Sequence, residues 1–315
     1  MSETWCVMFA GQSVQEAGMG RDLLKIPAAK AIVDRLKPSL GADLERLLTE
    51  TPDPELALTF NAQRAIHACH LANFFAYKSK NPEFVLDGAI GHSMGVVAAL
   101  VAAGALSLED SGVFMRARAQ AFSDTCKAFS EPMGLAAVTT DDFNDAAEAA
   151  AEVPGVSVAL YNTITRGTLG GTTAALEAFQ RKAQDEDWPM KMKLLRVEGP
   201  YHTKAFSPCK PALAAAAATL ALRAPSVPVF MGTSGKAETD PERIRTLLVD
   251  QADGTEWHLA AVRAAYAAGC RHFLEAAYKP QPVTWISDQL RDEAGAMLPG
   301  VETKAVRTED LYQVG

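Results

Sequence analysis

Short apolar runs recur along this chain, each separated from the next by a longer stretch of helical periodicity. Residues 5–10 (WCVMFA) and 86–92 (LDGAIGH) bracket three helical patterns, LLKIPAAKAIVDRL, LERLLTE and LTFNAQRAIHACHLANFFAY. That alternation predicts an α/β fold with a mainly parallel sheet, because parallel neighbours need a crossover long enough to hold a helix. Ligands gather at the carboxyl ends of such strands, so Gln12 and Ser93, each just past a strand, are expected to face one crevice.

The middle of the chain keeps a different rhythm. MGLAAVT reads as a strand, DDFNDAAEAAAEV as a helix opened by acidic caps, VSVALYN and GTLGG as strands, TAALEAFQRKAQDE as a helix and MKMKLLRVEG as a strand. Strand, helix, strand, strand, helix, strand is the order of a ferredoxin-like unit, so a small subdomain is expected at residues 133–198, inserted into a larger domain of residues 1–132 and 199–315. Beyond it, an Ala-rich helix from about Ala205 (with ALAAAAATLAL buried or half-buried), the strand VPVFMGTS, the helices PERIRTLLVDQ and EWHLAAVRAAYAAG, a last strand RHFLEAA and a closing helix PVTWISDQLRDEA are expected. VETKAVRTEDLYQVG reads as a polar, partly ordered tail.

Composition removes several classes of function. A formal net charge of −8 argues against binding a phosphate backbone, which needs a strongly basic surface. Five scattered cysteines suit reduced thiols in the cytoplasm better than a disulfide framework. No stretch has the run of apolar residues that a membrane span needs, and the N-terminus lacks the pattern of a secretory signal.

The sharpest local feature is Gly91-His92-Ser93-Met94-Gly95, between an apolar run and the helical pattern of residues 96–106. A serine hydroxyl becomes a nucleophile when a base takes its proton and a sharp strand-to-helix turn lifts it clear of the sheet; flanking glycines permit that turn, and the following amide can donate to an oxyanion. Alone, the motif reads equally well as a tight corner filled by small residues. A base must come from six histidines. His92 neighbours the serine but points elsewhere; His67 and His70 form an i, i+3 pair around Cys69 with no complementary ligand cluster, so no metal is expected; His258 and His272 read as an amphipathic-helix residue and a strand-edge residue. His202, in the loop GPYHT between a strand and a helix, is the preferred base.

Taken in order, MFAGQSVQEAGMG, GHSMG, RAQAF, MGLAAV, LYNT, GPYHT and GCRHFLEAA resemble the malonyl-CoA:acyl carrier protein transacylases and the related acyltransferase domains of polyketide synthases. The resemblance covers most of the chain and implies an α/β-hydrolase-like large domain with a ferredoxin-like insertion. It implies Ser93 as the acyl-accepting nucleophile, His202 as its base oriented by backbone carbonyls, an oxyanion hole from the amides of Gln12 and Met94, and Arg118 as the holder of the substrate carboxylate. Arg116, two residues away, is expected on a solvated face. Gln63, Asn162, Tyr201 and His92 fall at or beside the implied pocket. The chain departs from the family pattern in GQSVQ, in Val96 where glutamate is common, in GPY before the histidine, and in EAAYKP at residues 275–280.

The expectation is therefore a cytoplasmic, monomeric acyltransferase that moves a malonyl or related group from coenzyme A through an acyl-serine to the phosphopantetheine thiol of an acyl carrier protein, in fatty-acid or polyketide biosynthesis. It would use no cofactor beyond its thioester substrate and have no nucleic-acid or membrane partner. Arg181, Lys182, Lys191, Lys193 and Arg196 are candidates for docking the acidic carrier. An acyl hydrolase acting on carrier proteins, a transferase for another acyl group and a catalytically silent carrier-binding module are the alternatives. An ordinary esterase is weaker, because no acid stands out to complete its triad.

Overall fold

Alternate residues of the first strand enter different apolar clusters: Val7 and Phe9 pack on one side, Cys6 and Met8 on the other. A strand apolar on both faces must be covered on both, which fixes its place inside a sheet flanked by helices. The computed structural model describes residues 3–312. Among them are ten strands: β1 (Thr4–Phe9), β2 (Val85–Gly91), β3 (Met133–Thr140), β4 (Val156–Tyr161), β5 (Arg166–Thr172), β6 (Met190–Leu194), β7 (Val229–Met231), β8 (Lys236–Glu238), β9 (His272–Ala277) and β10 (Glu302–Arg307). The larger sheet runs β10-β9-β1-β2-β7-β8 and is parallel throughout except for β8, which turns back on β7. Phe9 lies opposite Gly91 in the β1–β2 register, so the segments carrying Gln12 and Ser93 leave the sheet side by side.

The smaller sheet is antiparallel, in the order β4-β5-β3-β6. Helices Phe143–Ala151 and Thr173–Asp185 pack Phe143, Leu176 and Phe179 against Ala136, Val138 and Leu169 on one face. The acidic cap read from the sequence is present, with Asp142 accepting from the Asn144 amide at 2.9 Å. Leu135 and Leu160 face the other way, toward Tyr201 and Phe206, so the uncovered face of this sheet becomes one wall of a cleft. The order of elements and of strands is that of a ferredoxin-like unit.

Several expectations need correction. Residues 302–307 form β10 at the edge of the large sheet, where the sequence suggested a tail: only Val306 of that strand is buried, so an edge strand leaves little apolar signature. The helix after the elbow, Gly95–Ala102, stops short of residue 106; Gly104 turns at φ +75°, and Ser107 caps the next helix, Leu108–Lys127, by accepting from the Asp110 amide. β6 ends at Leu194, after which the chain lines the cleft with Leu195 and Val197. The Ala-rich segment is a 3-10 turn, Lys204–Cys209, followed by helix Lys210–Ala218; that helix buries only Leu213 and Ala217, because small methyl groups cost little when left in water. The closing helix is reduced to a 3-10 turn, Pro282–Trp285, and the short helix Ile286–Gln289. The short β8 is absent from the sequence reading. Among the described residues no helix is long and apolar enough to cross a membrane.

Candidate active site

The elbow is built by two close approaches that only glycine allows. A Cβ on Gly91 would lie 2.0 Å from the Val96 nitrogen, and one on Gly95 would lie 2.3 Å from the Phe9 carbonyl oxygen. With those side chains absent, the chain turns between β2 and helix Gly95–Ala102, and Ser93 takes the left-handed conformation, φ 52°. His202 adopts the same strained region, φ 62°, in the loop that follows the small sheet.

These two residues meet. Ser93 Oγ and His202 Nε2 are 2.7 Å apart, and His202 Nδ1–H donates to the Gln251 carbonyl oxygen at 2.8 Å. The second bond fixes the tautomer: with the proton on Nδ1, Nε2 presents its lone pair to the serine. Burial first, then the Arg118 guanidinium and His92, push the His202 pKa down to about 3, so the imidazole is neutral and free to accept. No carboxylate touches Nδ1; a backbone carbonyl does the orienting.

The segment after helix Pro241–Asp250 holds both partners. Besides the carbonyl on His202, Gln251 donates through Nε2 to the Ser93 carbonyl at 2.9 Å, and the Ala252 carbonyl accepts from the His202 amide at 3.1 Å. Glu256 Oε1 accepts from the Ser93 amide at 3.1 Å. Side chains of one short segment therefore secure both polar backbone groups of a strained serine. The amides of Gln12 and Met94 have no hydrogen-bond partner among the described residues, and both residues flank the serine's mouth of the sheet.

Arg118 is buried on helix Leu108–Lys127, donating through Nη1 to Gln63 Oε1 at 2.7 Å and through Nη2 to Gln251 Oε1 at 3.2 Å, with its guanidinium 4.1 Å from the Phe122 ring centroid. Burial lowers its pKa to about 10, so it remains a cation. It lies behind the wall of the open cleft and not on it. Arg116 faces solvent, as expected.

The cleft between the two sheets has a volume of about 140 Å³ and is lined by Gln12, His92, Ser93, Asn162, Tyr201 and His202, with Leu135, Leu160 and Trp285 among the apolar contributions. Gln12 and Ser93 thus share a crevice, as the strand ends predict. His92 turns from the serine: Nε2 pairs with Asn162 Oδ1 at 2.8 Å, and its ring packs edge-on against Trp285 and His258. Asn162 also donates to Thr168 Oγ1, so this amide braces His92 and β5 together. Tyr201 places its hydroxyl 2.5 Å from Thr59 Oγ1. His67 and His70 pair with Ser111 and the Ala10 carbonyl, and no group of three potential metal ligands occurs among the described residues. His258, read as a residue of an amphipathic helix, is fully buried at the first position of its helix.

Gln251, Glu256, Thr59 and Trp285 were not foreseen. The reliance on backbone carbonyls anticipated the kind of contact Gln251 makes but not the residue. Nothing in QADGTEWH marks Glu256 as buried, since an isolated acid beside a turn ordinarily faces water.

A serine and a neutral histidine paired at a strand-to-helix elbow, beside two unengaged amides, are the equipment of enzymes that handle acyl groups through a serine ester. Residues 6–306 match the family model described as the acyl transferase domain, and the chain belongs to that family. It is 28% identical over 275 residues to the malonyl CoA-acyl carrier protein transacylase of Bacillus subtilis, covering 85% of this chain and 84% of that one. It is also 28% identical over 264 residues to the mitochondrial malonyl-CoA-acyl carrier protein transacylase of Mus musculus, covering 79% and 68%. Among solved structures, the acyl-carrier-protein-S-malonyltransferase of Bartonella henselae superposes with a TM-score of 0.85 at 26% identity over 98% of this chain and 97% of that one. The acyltransferase domain from the second module of the salinomycin polyketide synthase gives 0.83 at 25% identity over 98% and 70%.

Proposed function

We propose that this acyltransferase transfers a malonyl group from coenzyme A to the phosphopantetheine thiol of an acyl carrier protein, in fatty-acid or polyketide synthesis, with Ser93 as the nucleophile. The observation that carries the proposal is the 2.7 Å contact between Ser93 Oγ and His202 Nε2, with Nδ1 already committed to the Gln251 carbonyl. His202 takes the serine proton as Oγ attacks the thioester carbonyl carbon. The amides of Gln12 and Met94 donate to the developing oxyanion, and the start of helix Gly95–Ala102 adds a favourable field there. The thioester C–S bond breaks, His202 returns the proton to the coenzyme A sulfur, and malonyl remains as an ester on Ser93. The carrier thiol then gives its proton to His202 and attacks that ester, and the proton passes to Ser93 Oγ as the new thioester leaves. Every step is a proton shuttle on one imidazole and needs no electron transfer.

Arg118 is the group for the malonyl carboxylate, since a guanidinium offers two parallel charge-assisted bonds and Gln63 lies 2.7 Å from it as a neighbouring polar contact. The carrier would approach over β6, whose exposed Lys191 and Lys193, with Arg196 beyond them, stand where the chain runs into the cleft. Arg181 and Lys182 are partly engaged, with Glu177 and the Trp188 ring. Five free cysteines agree with a reducing cytoplasmic setting.

The test is the fate of the acyl group. Enzyme loaded with malonyl-CoA and mixed with a holo carrier protein should yield malonyl carrier faster than free malonate. Release to water outpacing transfer would instead assign the chain to the hydrolases that act on carrier-bound acyl groups.

A further inference from the structure

Glu256 is a fully buried carboxylate that the transfer chemistry does not use. Its Oε1 accepts from the Ser93 amide at 3.1 Å, and its Oε2 lies 3.5 Å from Gln251 Nε2. The other end of the same Gln251 side chain accepts from Arg118 Nη2 at 3.2 Å. One amide thus separates a buried anion from a buried cation, and neither forms a salt bridge with any described residue. We propose that Glu256 is the built-in counter-charge of Arg118 and sets acyl selectivity, allowing the enzyme to load acyl groups without a carboxylate alongside malonyl.

The inference rests on the reading of Arg118 as the carboxylate holder. A malonyl group brings its own negative charge to the guanidinium. An acetyl group brings none, and would leave Arg118 as an uncompensated cation next to the imidazole that must become positive when Ser93 attacks. Glu256 supplies the missing charge. With malonyl bound, the same carboxylate is a second anion facing one guanidinium, which weakens malonyl loading.

The surroundings make this charge consequential. Arg118 is the charged group that acts on Glu256, and the nearby site histidines His92, His202 and His258 are driven neutral by burial. Gly232 packs directly against the carboxylate, since a Cβ there would lie 2.2 Å from Oε1. Burial lifts the Glu256 pKa to about 7, against the opposing pull of the Ser93 amide, Arg118 and Gln251. Raising the pH through that value ionises Glu256 and favours acetyl; lowering it favours malonyl.

The experiment measures the rates at which malonyl-CoA and acetyl-CoA acylate the intact enzyme, for wild type and Glu256→Gln, from about pH 6 to about pH 8.5. Gln keeps an oxygen for the Ser93 amide and removes the charge. The expected result is a malonyl-to-acetyl ratio that falls roughly tenfold with rising pH in wild type, and a variant ratio that is about tenfold higher than wild type at the upper end and independent of pH. An unchanged variant ratio overturns the proposal, as does a wild type that acylates with malonyl alone. The wild-type pH curve carries the test should the variant fail to fold, a flat curve then overturning it. Failure of wild type to acylate from malonyl-CoA at all would instead defeat the malonyl-transfer reading, and this inference with it.

Discussion

Gln251 touches both members of the reactive pair: its carbonyl accepts from His202 Nδ1 at 2.8 Å, and its side-chain amide donates to the Ser93 carbonyl at 2.9 Å. One residue therefore fixes the tautomer of the base and the backbone of the serine, while its amide oxygen holds Arg118. The orientation of the imidazole, the strained serine backbone and the buried guanidinium converge on one residue.

The neutrality of His202 is open to direct observation. With its pKa pushed down to about 3 by burial, then by Arg118 and His92, the ring should show no protonation in an NMR titration from about pH 8 to about pH 5. His202→Ala should reduce acylation by roughly a thousandfold or more without preventing folding.

Arg118→Ala should depress malonyl loading by roughly a hundredfold or more while acetyl loading falls far less, because only the former needs two charge-assisted bonds to the guanidinium. The comparison of kcat/KM for the two thioesters on the same preparation removes the contribution of misfolded protein. Equal losses would take away the basis for a carboxylate-bearing acyl group.

The elbow glycines and a strand glycine should part company. Gly91→Ala forces a Cβ to within 2.0 Å of the Val96 nitrogen and should cost roughly 3 kcal/mol or more in chemical denaturation, or prevent folding. Gly134→Ala in β3 meets nothing within 4 Å and should be neutral or stabilise by up to about 1 kcal/mol, since Gly carries an entropic cost in a strand.

Glu275 predicts a pH dependence of stability. Its Oε2 accepts from the Gln281 and Val283 amides, holding the loop that brings Trp285 to the cleft, while burial raises its pKa to about 8. A folded-state pKa above the unfolded value means that stability is fully present below the unfolded value near 4.5 and is lost as pH rises toward about 8. Glu275→Gln should flatten that loss, by up to about 3 kcal/mol between about pH 5.5 and about pH 8, as read by urea midpoints. A wild type and variant with parallel pH curves would contradict it.

The sequence carried what depends on periodicity and on tight turns. Apolar runs located β1 and β2, Asp142 marked a helix start, and the glycines around Ser93 marked a close approach that the structure displays. It was less informative where burial is decided by neighbours distant along the chain. β10 alternates polar residues at a sheet edge, and Glu256 is buried because Gly232, Ser93 and Gln251 close around it, none of which a local window reveals. Arg118 was found through resemblance, yet its place behind the cleft wall, bound to two glutamines, follows from packing of helix Leu108–Lys127 against helix Thr59–Lys80.

The most direct measurement is intact-protein mass spectrometry of wild type and Ser93→Ala after brief exposure to malonyl-CoA. The account predicts a malonyl adduct on wild type that is absent from Ser93→Ala and disappears when a holo carrier protein is added. An adduct that persists in Ser93→Ala, or no adduct on wild type while malonyl carrier still forms, would contradict an acyl-Ser93 intermediate.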